Sequence, residues 1–316
     1  MNAVANQRAA RPSRGRVLAV LGCGVLVVST ASILIRWLQA DGVPSLSIAA
    51  WRLALAALAL APIVALGRRD ELARLNRSDW LLAFASGAFL ALHFATWIYS
   101  LEYTSVASSV ALVTTNPIWI AIASWLVFRE RIGAGVAIGI AAAICGGAVI
   151  FLADGNSVRA AGRAPALGNT LALAGSVAIC GYLLIGRRLR RAMSLVAYIG
   201  VVYGAAAICL LTVAVFARAP LTGFADSAWL ALFALAAGPQ LLGHSSFNWA
   251  LKYLSATVIA AAILGEPIGS TLLAWLLLGE PVGTAKLAGM ALLLAGIFLA
   301  ARGGLKAVRT ELSKAE

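Results

Sequence analysis

Residues 101–133 read LEYTSVASSVALVTTNPIWIAIASWLVFRERIG, and residues 251–283 read LKYLSATVIAAAILGEPIGSTLLAWLLLGEPVG. The two segments align without a gap at an offset of 150 residues. Leu101, Tyr103 and Ser105 meet Leu251, Tyr253 and Ser255, and Ala111 meets Ala261. Pro117-Ile118 meets Pro267-Ile268, Trp125-Leu126 meets Trp275-Leu276, and Glu130 and Gly133 meet Glu280 and Gly283. Farther on, Gly139 and Gly146 meet Gly289 and Gly296. Scattered apolar matches arise by chance in an apolar chain. A register that aligns Pro, Trp, Tyr, Glu and Gly together marks an internal repeat.

The rest of the chain says what is repeated. Of 316 residues, 62% are apolar and 12% charged, with a mean hydropathy of +0.93. Soluble domains are nearer 45–50% apolar and about 25% charged. This composition excludes an ordinary soluble enzyme, a disordered chain and a nucleic-acid-binding domain. Crossing the hydrocarbon takes about 20 apolar residues. Ten such stretches can be marked, at 17–38, 45–66, 79–100, 105–128, 133–153, 166–186, 194–217, 227–250, 255–278 and 283–302. The connections at 67–78 and 154–165 are too short to fold as domains, and there is no GxxxxGK[ST] phosphate loop.

The expected fold class is an all-α integral membrane protein with ten transmembrane helices in two inverted five-helix repeats. Its expected parts are a tail at 1–16, repeats at 17–153 and 166–302, and a tail at 303–316. Five spans per repeat is an odd number, so the second copy enters the membrane from the opposite side. Charge agrees. With both termini in the cytoplasm, the cytoplasmic side holds Arg8, Arg11, Arg14 and Arg16, then Arg68, Arg69, Arg74 and Arg77, then Arg129 and Arg131. It also holds Arg187, Arg188, Arg190 and Arg191, Lys252, and the tail's Arg302, Lys306, Arg309 and Lys314. The other side receives only Arg159, Arg163 and Arg218, with Arg36 and Lys286 near span ends. Such asymmetry orients a polytopic protein, and it accounts for the net charge of +13 without nucleic acid. Glu130 stands among cytoplasmic arginines, whereas Glu280 has no basic residue beside it in sequence. The basic flank before the first apolar run resembles a signal peptide, but the run is too long for an h-region and reads as an uncleaved span.

The segments 93–146 and 244–296 carry a recurring pattern: Tyr-x-Ser opening a span, a mid-span Pro, then Trp-Leu and a terminal Glu. In this the chain resembles the drug/metabolite transporter superfamily, specifically the EamA-type ten-span permeases. The resemblance implies a secondary transporter of small organic metabolites, often an exporter, in a bacterial inner membrane. Amino acids, nucleosides, sugar phosphates and drugs are all moved by this superfamily. It implies no cofactor. The partners expected are a small-molecule substrate and the bilayer, with protons as a candidate coupling ion; the oligomeric state stays open.

Polar residues inside spans are the candidates for a site, because they are expensive there. Glu266 lies midway along the ninth stretch, while the other acidic residues fall in loops, tails or span ends. Low dielectric disfavours the charged form of a carboxyl, so Glu266 is a candidate proton carrier or counter-ion for a substrate amine. The alternative is a hydrogen bond that only holds the bundle. In EamA-type sequences a Glu-Pro pair recurs at this place. The repeat mate of Glu266 is Asn116, and each precedes a proline, Pro267 and Pro117. These prolines free the carbonyls of Val113 and Ile263, as a cavity wall or a packing kink would.

His93 and His244 are repeat mates at an offset of 151. With opposite span directions, His93 is expected toward the outer half and His244 toward the inner half. They read as gate or relay groups or, alternatively, as satisfied structural histidines. A metal site is not supported, since Thr96, Trp97, Phe247 and Asn248 one turn on are poor ligands. Arg52 sits inside the second stretch. It is expected to snorkel outward, to pair with a carbonyl or Glu266, or to hold a substrate carboxylate. Trp97, Trp119 and Tyr182 are candidate aromatic walls. Ser29, Thr30, Ser32, Thr114 and Thr115 suit either a path or close helix packing. Cys23, Cys145, Cys180 and Cys209 all fall within spans and read as small apolar packing residues.

The leading function is alternating-access transport, proton-coupled through Glu266 or uncoupled. An uptake permease is the alternative. A membrane-embedded enzyme has no HExxH, GxSxG or paired intramembrane aspartates to support it.

Overall fold

Apolar runs have no water to satisfy their backbone, so they close their hydrogen bonds within helices. The computed structural model describes residues 12–128, 133–155, 163–250, 253–254, 259 and 262–315. Among these the structure is helical throughout, without strands. The sequence positions Arg8, Arg11, Arg129, Glu130, Arg131, Arg159, Leu251, Lys252, Ser255 and Ala261 lie outside the described residues.

The first apolar stretch is one rod in two pieces, α1 (Arg14–Ser29) and α2 (Ala31–Ala40). They meet at Thr30, whose hydroxyl donates to the Val27 carbonyl at 2.7 Å. Then come α3 (Ser45–Gly67), the short α4 (Arg69–Ala73) and α5 (Arg77–Tyr103). Asn76 and Asp79 form a reciprocal capping box that fixes the start of α5. The fourth stretch is broken into α6 (Val106–Val113) and α7 (Asn116–Phe128). It is followed by α8 (Ala134–Gly155), α9 (Pro165–Leu189) and α10 (Leu195–Phe216).

The eighth stretch is not a simple kinked helix. It runs as α11 (Asp226–Leu235), a π-helix (Ala236–His244) and α12 (Ser245–Ala250). Pro239 lies inside the wide turns. Its missing N–H cannot complete an i→i−4 ladder, so the chain loosens there. The last elements are α13 (Gly265–Leu278) and α14 (Thr284–Ala315).

Among the described residues, seven helical stretches are long and apolar enough to cross a membrane, and α13 and the Thr284–Ala300 part of α14 are shorter apolar helices. Leu26, Leu66, Leu230 and Phe216 are 70–85% exposed. In water such a surface would aggregate, whereas lipid accepts it. The chain is a multi-pass membrane protein.

Four pairings position the site: α8 along α14, α5 along α9, α3 along α10, and α1 along the π-helix. The first is the closest. A Cβ on Gly139 would strike the backbone of Gly296 and Ala300, and one on Gly146 would strike that of Gly289 and Leu293. The two helices therefore run antiparallel, and glycines that are repeat mates meet crosswise.

Charged groups gather where α2, α5, α8 and α13 end and α6, α9 and α14 begin. Arg36 Nη2 pairs with Glu280 at 2.5 Å, and its Nη1 donates to the Leu101 carbonyl at 2.6 Å. The other oxygen of Glu280 accepts the Val106 N–H at 2.9 Å. Glu280 is thus paired in space, a correction to its apparent isolation in sequence. Lys286 and Asp154, 5% and 1% exposed, pair at 2.6 Å. Asn169 Nδ2 donates to the second Asp154 oxygen at 2.8 Å, and Lys286 donates to Ser105 Oγ at 2.9 Å. Arg163 and Glu102 pair at 2.8 Å.

Candidate functional site

Two helix breaks face each other across the middle of the bundle. In the first half, α6 ends at Val113 and α7 begins at Asn116 with Pro117 next. The gap is sealed locally. Thr114 Oγ1 donates to Val110 O at 2.9 Å, Thr115 Oγ1 donates to Leu112 O at 2.7 Å, and Trp119 Nε1 donates to Thr115 Oγ1 at 3.1 Å. In the second half, α13 begins at Gly265, so Glu266 and Pro267 occupy its first turn. A carboxylate there meets the positive end of the helix dipole.

A cavity lies between these breaks. His93, Trp97, Asn116, Tyr182, His244 and Glu266 all line it. Much of the remaining wall is aliphatic, including Val113, Ile179 and Ile263. Residues before and after the midpoint of the chain contribute alike. Glu266 is in no ion pair among the described residues.

Several polar atoms in and beside this wall have no partner among the described residues: Trp97 Nε1, Asn116 Oδ1, and the two terminal nitrogens of Arg52. Buried polar groups are nearly always paired, so such exceptions point to a ligand or water. Other wall groups are satisfied. His93 Nδ1 lies 2.9 Å from the Gly175 carbonyl, and since a carbonyl only accepts, Nδ1 carries the proton. The close approach uses the missing side chain of Gly175, where a Cβ would meet Thr96 Oγ1 at 3.0 Å and the His93 carbonyl at 3.3 Å. Tyr182 and Asn248 hold one another, with Asn248 Nδ2 2.8 Å from the Tyr182 hydroxyl and 3.0 Å from the His244 carbonyl.

Three expectations need correction. The histidines are not set apart toward opposite faces. Both rings pack on Phe94, at centroid distances of 4.8 Å for His93 and 5.4 Å for His244, which closes the π-helix. Arg52 does not snorkel. It is 0% exposed, its Nε donates to Gln240 Oε1 at 2.8 Å, and its guanidinium lies 4.1 Å from the Phe94 centroid. Arg52 is also not a cavity-lining residue, although it stands 5.8 Å from the Trp97 ring. Trp119 does not line the cavity, although its neighbour Ile120 does, and serves the helix break instead.

Sequence reading did not single out Asn248, Gln240, Phe94 or Tyr203 as candidates. Asn248 had a usable signal, an intramembrane amide one turn after His244. Phe94 and Tyr203 had none, being aromatic residues in apolar runs. Of the cysteines, Cys180 is buried, with its thiol 3.4 Å from the Asn116 carbonyl, and Cys23 and Cys145 are exposed on the bundle surface.

Comparison with known proteins follows the same division of the chain. The EamA-like transporter family matches residues 15–152 and again residues 166–302. No curated protein matches. A solved structure known only as the crystal structure of a protein is 22% identical, with a TM-score of 0.64 over 95% of this chain and 100% of its own. At that identity the likeness shows the fold alone.

Proposed function

The chain belongs to the EamA-like transporter family, and from that premise we propose that it carries a small organic metabolite outward by alternating access through the central cavity. Membership makes it a membrane transporter of small molecules rather than an enzyme. The observation that carries the finer reading is the cavity itself, built at two matching helix breaks and walled by both family-matched segments. Half-helix starts that face a midplane cavity suit binding of polar groups.

The halves act as inverted copies in ten spans. Crosswise contact of Gly139 with Gly296 and of Gly146 with Gly289 supports this, since a two-fold axis in the membrane plane generates that pattern. Both termini lie in the cytoplasm of a bacterial inner membrane, a reading supported by the basic residues at one end. Glu266 binds the substrate amine or the coupling proton. It suits either role because it sits at the cavity and has no ion-pair partner among the described residues. His93, His244, Trp97, Tyr182 and Asn116 shape the binding surface. Trp119, Pro117 and Pro267 shape the helix breaks, and Arg52 acts from behind the wall.

Counterflow in proteoliposomes, offering pooled amino acids, nucleosides and sugars and reading accumulation by mass spectrometry, tests transport. Accumulation of one class is expected; accumulation of none overturns the reading. An uncoupled carrier is the second reading. Glu266→Gln separates the two: loss of pH-gradient-driven flux with retained exchange supports coupling, and retained gradient dependence removes it.

A further inference from the structure

Behind the cavity wall, α3, α10 and the π-helix enclose a second polar cluster. Arg52 is wholly buried there. Its Nε is used by Gln240 Oε1, which leaves both terminal nitrogens, Nη1 and Nη2, without a partner among the described residues. The same bond orients Gln240. With Oε1 committed to Arg52, its Nε2 points elsewhere, also without a partner, and Gln240 is 0% exposed. Tyr203, equally buried, brings its hydroxyl up to Gln240 and Ser245 without a well-aligned partner among the described residues. The cluster therefore offers one positive charge and a surplus of N–H donors, with an O–H beside them.

The chemistry of these orphans selects their ligand. Arg52 and Gln240 Nε2 can only donate, so a cation or another donor does not satisfy them. The free Nη1/Nη2 edge is the planar fork that matches two oxygens of one anion. The apolar face of the guanidinium is already covered by Phe94, which leaves that edge as the recognition surface. Glu266 forms no ion pair with Arg52.

We propose that Arg52, Gln240 and Tyr203 form an anion subsite beside the transport cavity, built for a small monovalent anion. Arg52 supplies the charge and two donors, Gln240 holds the guanidinium in plane and adds a third donor, and Tyr203 closes the site. The π-helix makes the site possible, because it places Gln240 against Arg52 and His244 against Phe94 within one wide turn. The anion is either the carboxylate of the transported molecule or a free inorganic anion. The subsite deepens the transport reading and rests on it for its part in the cycle, but its occupancy is measurable without transport.

Trp97, 5.8 Å from the guanidinium, supplies the probe. Intrinsic fluorescence and thermal unfolding of the purified full-length protein in nanodiscs are followed while acetate, chloride or neutral acetamide is added at constant ionic strength. Saturable responses to acetate and not to acetamide are expected, weakened at least about tenfold by Arg52→Gln, which is about 1.4 kcal/mol. Acetate bound more tightly than chloride assigns the site to a substrate carboxylate; equal binding assigns it to an inorganic anion. A response identical in wild type and Arg52→Gln, or none in wild type, overturns the proposal. Should Arg52→Gln fail to fold, Tyr203→Phe and Gln240→Leu leave the guanidinium in place. Each is expected to weaken acetate several-fold, and unchanged affinity in both overturns the site equally.

Discussion

The charged end of the bundle and its centre use the same kinds of residue to opposite ends. At the charged end three ion pairs have answering groups: Arg36 with Glu280 and the Leu101 carbonyl, Lys286 with Asp154 and Ser105, Arg163 with Glu102. At the centre several polar atoms are left open among the described residues: Trp97 Nε1, Asn116 Oδ1, the Arg52 fork and Gln240 Nε2. A satisfied polar network specifies and holds a structure. An unsatisfied one costs about 1–3 kcal/mol per buried group, and a protein keeps it where something else completes the bonds. The contrast separates groups that hold the bundle from groups that are proposed to serve a ligand.

The largest effect is expected at Asp154. Asp154→Ala leaves Lys286 charged and buried, which costs about 3–5 kcal/mol. Unfolding in detergent measures it. Joint replacement of Asp154 by Leu and Lys286 by Met should recover most of the loss, because both desolvation penalties then vanish. The glycine seam comes next. Gly146→Ala drives a methyl into the Leu293 backbone and should cost about 1–3 kcal/mol by overpacking, read in the same unfolding assay.

At the centre the order of readouts should reverse. Glu266→Gln is expected to lower gradient-driven flux at least about tenfold, or about 1.4 kcal/mol. Its stability should change by less than about 1 kcal/mol, since no ion-pair partner is lost. If Glu266→Gln unfolds the protein as readily as Asp154→Ala does, the division between holding and serving fails. The smallest effect is expected at Arg36. This pair is partly exposed, with side chains 27% and 17% accessible, so Arg36→Gln should cost about 1 kcal/mol or less in stability. A larger loss there would mean that Glu280, through the Val106 N–H, also anchors the start of α6.

Much of the architecture was legible because membrane helices write themselves as long apolar runs. Apolar stretches read at 45–66 and 194–217 became helices at Ser45–Gly67 and Leu195–Phe216. The prolines at 117 and 267 lie in the first turn of α7 and α13, so a missing N–H marked both breaks. The candidate site was legible in part for the same reason. A polar residue stands out against apolar neighbours, and Glu266, Asn116, His93, His244, Trp97 and Tyr182 meet at one cavity.

Other features were invisible along the chain. Periodicity places a residue on a helix but not at a depth relative to a helix distant in sequence. Sequence therefore places the two histidines toward opposite halves, whereas both rings pack on Phe94, His244 from a π-helix that no hydrophobic pattern reveals. The partner of Arg52 is 188 residues away and that of Arg36 is 244. Such pairings depend on which helices adjoin. The amino-acid sequence alone determined the apolar spans, the repeat, the breaks and the charge asymmetry, because each is a local or periodic property of the chain. Tertiary structure alone decided which polar atoms are answered and which stay open, because a hydrogen bond forms only when packing brings donor and acceptor within about 3 Å.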